Sequence, residues 1–167
     1  FPTVFADHGI TLTPEQIKQY SSEKKEIYMK ILEDNEILPV PGVKEFLKKV
    51  TEGGYQICIA SGNKPEAIAY LLERAGVRDF FDIIVTNKDA AKSKPAPDIF
   101  LAAAAKLGLS PSECVVFEDA VNGAAASESA GIRCIGLATR IPEKDLRAAG
   151  ADYVVQSYDE IRDEMIS

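Results

Sequence analysis

From residue 55 onward, five short apolar runs punctuate the chain, at 55–60, 81–86, 114–118, 133–137 and 152–156. Most are nearly continuous rather than alternating, the pattern of strands covered on both faces. The segments between them carry helical spacing instead. Val43, Phe46, Leu47 and Val50 share one face of a helix, and Ile68, Leu71, Leu72 and Ala75 share one face of another. Ile99, Leu101, Ala102, Ala105 and Leu107 do so less cleanly. Residues 121–130 are Ala-rich, suited to close packing on a sheet, and helices at 143–149 and 158–166 complete the set. Strand and helix therefore alternate from residue 42 to the end. That order needs crossover connections, and so predicts a mostly parallel sheet with helices on both faces. Gly76, Gly108, Gly131 and Gly150 each follow a predicted helix, where a left-handed cap is wanted.

The first forty residues differ. Thr13-Pro14-Glu15 is a helix start, with Thr as N-cap and Pro in the first turn. The helix runs to Asp34, with Ile17, Tyr20, Ile27, Tyr28, Ile31 and Leu32 as its expected buried stripe. Residues 38–42, Leu-Pro-Val-Pro-Gly, then break the pattern as a hinge would. The expected organisation is a helical piece at 1–38, a joint at 39–42 and an α/β body at 43–167.

Composition narrows the function classes. The chain has 167 residues, 46% of them hydrophobic, which suits one domain with a real core. Its 19 Lys+Arg against 26 Asp+Glu give a net charge of -7, which argues against a nucleic-acid groove. No apolar stretch approaches the roughly 20 residues of a membrane helix, and no secretory leader pattern opens the sequence. Cys58, Cys114 and Cys134 each sit in or beside a β-like run without metal-ligand spacing. They read as small buried hydrophobes, and the expected compartment is reducing and cytoplasmic.

In open parallel sheets, ligands bind at the carboxyl ends of the strands. The first run ends Ala60-Ser61-Gly62-Asn63, with Lys64-Pro65 opening a helix. A hydroxyl, a glycine N–H and a helix N-terminus there suit phosphate, although the same string also makes an ordinary turn and cap. After the second run, Pro95 restricts Lys94 to an extended backbone in Lys92-Ser-Lys-Pro-Ala-Pro-Asp98. Lys94 is either a point charge for phosphate or a solvated loop lysine. The third run ends Glu118-Asp119, two carboxylates at the tip of a buried strand. Magnesium would satisfy them, and Asp119 as a mere N-cap of the next helix is an equal reading. Taken together, a phosphate hydroxyl, a lysine and a metal carboxylate on one sheet edge form a phosphoryl-transfer constellation.

These residues carry a family resemblance. From residue 40 to 167 the chain resembles the haloacid dehalogenase-type phosphohydrolases, in the subgroup of β-phosphoglucomutase and sugar-phosphate phosphatases. The matching strings are Ala60-Ser-Gly-Asn63, Lys94-Pro-Ala-Pro-Asp98 and Phe117-Glu-Asp-Ala-Val-Asn-Gly123, in the family's order and spacing. The resemblance implies a Rossmann-like parallel sheet with flanking helices, plus part of a helical cap over residues 1–38. It implies that Ser61 and the Gly62 N–H bind the transferring phosphoryl group and that Asn63 helps orient substrate. It implies that Lys94 neutralises the phosphoryl charge and holds the nucleophile. Asp119 is then a Mg2+ ligand, which Glu118 supports directly or through water. The expected partner is a small phosphorylated metabolite, not nucleic acid or a membrane.

One departure matters. The family's first motif, an Asp-x-Asp-Gly-Thr-like segment ending a central strand, supplies the nucleophile and the general acid/base, and it has no counterpart here. Ala6-Asp7-His8-Gly9 is the nearest string, without a preceding strand or a second carboxylate, and His8 reads as a loop residue. The family's motif strand lies between the runs at 55–60 and 114–118. The expectation is therefore a C-terminal portion of a longer enzyme, its nucleophilic Asp outside these residues. The predicted activity is a Mg-dependent sugar-phosphate phosphatase. The alternatives are a β-phosphoglucomutase-type phosphomutase, or a catalytically inactive fragment or binding module completed by the missing N-terminal segment.

Overall fold

The structure, a computed structural model, describes residues 5, 6 and 8–167 and divides into two compact units, Phe1–Leu38 and Pro39–Ser167. The first unit is built on α1 (Pro14–Asp34). Its start is fixed by a reciprocal cap: the Gln16 N–H donates to Thr13 Oγ1 at 3.3 Å, and the Thr13 N–H donates to Gln16 Oε1 at 2.9 Å. The predicted stripe is correct in period but not in burial. No residue of α1 is buried, and Ile27 and Ile31 are 61% and 53% exposed. Among the described residues of its own unit, α1 finds too little apolar surface to cover that face. The Phe5 ring stacks on Tyr20 with centroids 5.8 Å apart. Asp7 lies outside the described residues.

The second unit alternates as its pattern demands. The elements are α2 (Val43–Glu52), β1 (Cys58–Ser61), α3 (Pro65–Ala75), β2 (Ile83–Thr86), α4 (Asp98–Leu107), β3 (Val115–Glu118), α5 (Val121–Ala130), β4 (Arg133–Leu137), α6 (Glu143–Ala148), β5 (Tyr153–Val155) and α7 (Asp163–Ile166). Every strand pairing is parallel, as an α/β architecture requires. Gly76, Gly108, Gly131 and Gly150 all have positive φ after their helices. The expected helix at 158–166 is instead a 3-10 turn, Tyr158–Glu160, followed by α7, with the backbone extended at Ile161 and Arg162.

The strands form two sheets rather than one: β1 pairs with β2, and β3, β4 and β5 run in that order. The register sets Ser61 beside Thr86 and Glu118 beside Gly136. β1 and β3 do not pair with each other. Their flanking residues, Ile57–Ala60 and Cys114–Glu118, line one cavity of about 330 Å³. This slot explains why every residue of β1 and β3 is only half-buried, unlike the expectation of strands covered on both faces. It also corrects the reading of the cysteines. Cys134 is buried, whereas Cys58 and Cys114 line the slot and are half-buried.

The core falls into several clusters, and the first joins β2 and α4 with α5. Val85, Ile99, Phe100, Ala103, Ala126, Ala130 and Ile132 pack together, and Ile135, Leu137, Val155 and Met165 form another cluster. The buried face of α4 is Ile99, Phe100, Ala103 and Ala104, while Leu101 is 41% exposed. The expected face through Leu101 and Ala105 is thus wrong, because an Ala-rich run offers no polar contrast to fix its phase. Among the described residues, no helix is long and apolar enough to cross a membrane.

Ile135 is 0% exposed at the centre of its cluster. Ile135→Ala is expected to destabilise the fold by about 2–5 kcal/mol, read from the midpoint of chemical denaturation. A loss under 1 kcal/mol (roughly the cost of a tolerated hydrophobic swap) would show that this cluster is not a working core.

Candidate active site

The carboxyl ends of β1, β2 and β3 place the chemistry. Ser61 is the last residue of β1, and its Oγ accepts the Asn63 N–H at 3.2 Å. That turn leads into Lys64, which caps α3 without a side-chain hydrogen bond, and Pro65 starts the helix. The hydroxyl keeps its own proton to donate, and the exposed Gly62 sits beside it at a helix entrance. The Asn87 amide, just past β2, reaches the Gly62 carbonyl at 3.4 Å and bounds the turn from the other side.

Lys94 is far less free than a loop lysine. Its side chain is 16% exposed and its Nζ pairs with the Glu118 carboxylate, itself 10% exposed. The same Nζ reaches the Ala60 carbonyl at 3.4 Å and sits 4.4 Å from the centroid of the Phe100 ring. One ammonium thus touches the ends of β1 and β3 together. Ser61, Lys94 and Glu118 are brought to one place, and Asp119 follows directly in sequence, exposed beyond the strand end.

The cap of α5 bears on the N-cap reading of Asp119. Ala120 holds the N-cap position and no side chain caps the helix. Asp119 is therefore not spent on the helix. Among the described residues, no group of three or more His, Cys, Asp or Glu comes together. Glu118 and Asp119 are adjacent in sequence, and carboxylate oxygens are the donor chemistry that a hard cation keeping most of its waters would take.

A model of the haloacid dehalogenase-like hydrolases matches residues 6–131. The chain belongs to that family. Hexitol phosphatase B of Escherichia coli (strain K12) is 34% identical over 122 residues, which are 73% of this chain and 55% of that protein. The chain thus spans about half the length of that curated relative. A family IA, variant 3 haloacid dehalogenase-type hydrolase from Entamoeba histolytica superposes with a TM-score of 0.86 at 28% identity, over 98% of this chain and 75% of that one. The β-phosphoglucomutase of Clostridium difficile gives 0.82 at 28% identity, over 97% of this chain and 70% of that one.

Three neighbours of this haloacid dehalogenase-like site carry no motif signal and were missed in the sequence. Phe100 lies under the Lys94 ammonium, six positions after it, where hydropathy marks only another core residue. Asn87 is one polar residue in a turn. Tyr158 packs its ring against Phe46 and Phe117 at centroid distances of 5.2 and 5.6 Å. Burial pushes its phenol up to about 12, and the charges of Asp119 and Glu118 add to the shift. A tyrosine some forty positions downstream is thus tied electrostatically to the carboxylate pair.

Asp89 braces the strand next to Ser61. Its carboxylate accepts the Thr86 N–H at 2.8 Å and an Nζ–H of Lys106 at 2.7 Å. The Lys106 bond first, and then the Thr86 N–H, lower its carboxyl from 3.8 to about 2. A carboxyl lowered on folding contributes stability that is full above its unfolded value and fades as pH falls through the folded one. The stability difference between the parent protein and Asp89→Asn is therefore expected to shrink from about pH 4 down to about pH 2. Denaturant midpoints across that range check it; a constant difference would refute it.

Proposed function

We propose that the protein is a Mg-dependent phosphatase acting on a small phosphorylated metabolite, a sugar phosphate by class. The carrying observation is the convergence of Lys94 on both the β1 end, which bears Ser61, and the β3 end, which bears Glu118 and Asp119. The family and the sugar-phosphate relatives support the same reading.

In this reading Ser61 Oγ–H and the Gly62 N–H donate to oxygens of the phosphoryl group, and Asn63 orients the rest of the substrate. Lys94 meets the charge that grows on those oxygens from inside a partly desolvated pocket, where a fixed cation acts more strongly than in water. Asp119, with Glu118 directly or through water, would hold Mg2+, whose charge offsets that of the phosphoryl oxygens. The nucleophilic Asp belongs to a strand that fills the slot between β1 and β3 and lies outside these 167 residues. Two strand edges without a ladder partner that line one largely apolar cavity support that placement. Residues 1–38 then form the last part of a helical cap, and 39–42 its hinge. Three free thiols agree with a reducing, cytoplasmic setting.

The test is a screen of phosphorylated sugars and sugar alcohols with the intact protein in Mg2+. Asp119→Ala and Lys94→Ala are each expected to lower kcat by about 100-fold or more, the scale of losing one fixed electrostatic group. Full turnover in both variants would overturn the assignment. Phosphoryl return to the sugar instead of release as phosphate would establish a phosphomutase.

A further inference from the structure

Gly123 stands in the first turn of α5, is buried, and has an ordinary helical backbone rather than a positive φ. Nothing in its conformation calls for glycine, and glycine within a helix is less favourable than alanine. The reason lies in what faces it. A Cβ at Gly123 would collide with Cδ and both carboxylate oxygens of Glu118. The carboxylate rests in the recess that the missing side chain leaves, and from there pairs with Lys94.

We propose that Gly123 is a positioning residue: its recess seats the Glu118 carboxylate against the first turn of α5, where Lys94 can reach it. The colliding atoms are the far end of a flexible side chain. Alanine at 123 therefore leaves the helix intact and swings Glu118 out of its seat. Lys94 then loses its carboxylate partner while remaining largely enclosed, which carries a desolvation cost. The helix dipole favours the seated position as well, since a negative group lies beside the N-terminal turn.

The inference concerns where Glu118 sits and rests on the proposed phosphatase function only for its kinetic consequence. A stability cycle in the intact protein tests it without reference to activity. In a Glu118→Ala background, Gly123→Ala meets no carboxylate and gains helix propensity, so the thermal midpoint is expected to rise. In the parent background the same substitution displaces the carboxylate, and the midpoint is expected to fall. Equal changes in both backgrounds overturn the proposal. Should Glu118→Ala fail to fold, Glu118→Ser provides the same comparison. In the active protein, Gly123→Ala is expected to lower turnover by about 10–100-fold, the range for losing support of a ligand side chain. A protein without phosphatase activity that still shows the opposed midpoint shifts leaves the positioning role standing and removes only the functional reading.

Discussion

The site depends on one cation held between two sheets. β1 and β3 share no ladder hydrogen bonds, and the Lys94 ammonium touches the terminal carbonyl region of one and the terminal carboxylate of the other. A largely buried ion pair adds little net stability, because desolvation offsets most of its attraction. Its value here is geometric. Each contact limits where Nζ can go, and the Phe100 ring closes a further side. In the proposed reaction, the charge that would face a phosphoryl group is fixed before any substrate arrives, so little reorganisation would remain for the chemistry itself.

The same economy runs outward from the pair. Asp89 holds the end of β2 through the Thr86 N–H, and the parallel register sets Thr86 beside Ser61. Tyr158 packs on Phe46 and Phe117, and its N–H donates to the Pro41 carbonyl at 3.0 Å. Gly42 has a φ of 77°, and a side chain there would collide with Asp159. Pro41 and Gly42 are therefore seated on the segment that also carries Tyr158 close to the site carboxylates.

Much of this was legible in the sequence because period, punctuation and motif agreed. Continuous apolar runs separated by glycine-capped helices specify parallel strands, and α3 and α5 follow the expected bounds. Ser61, Lys94 and Glu118 are brought together at strand ends, as an α/β topology demands. What hydropathy could not supply was phase and partnership. The Ala-rich α4 gave no contrast between Leu101 and Phe100, so the residue beneath Lys94 was passed over. The stripe of α1 has helical period, but period says nothing about whether a partner surface exists to bury it. Gly123 matched a motif letter, and only the side chain opposite it gives that letter a physical meaning.

The unpaired edges of β1 and β3 also bear on what the slot between them can accept. Most native sheets hide or distort their edges, because an open ladder is a template for any extended segment that drifts past. The edges of β1 and β3 that border the slot have no ladder partner among the described residues, and the slot is lined mainly by apolar side chains. Backbone geometry there offers no discrimination between one extended segment and another. Selection of the segment that occupies the slot therefore falls to side-chain fit with its apolar walls.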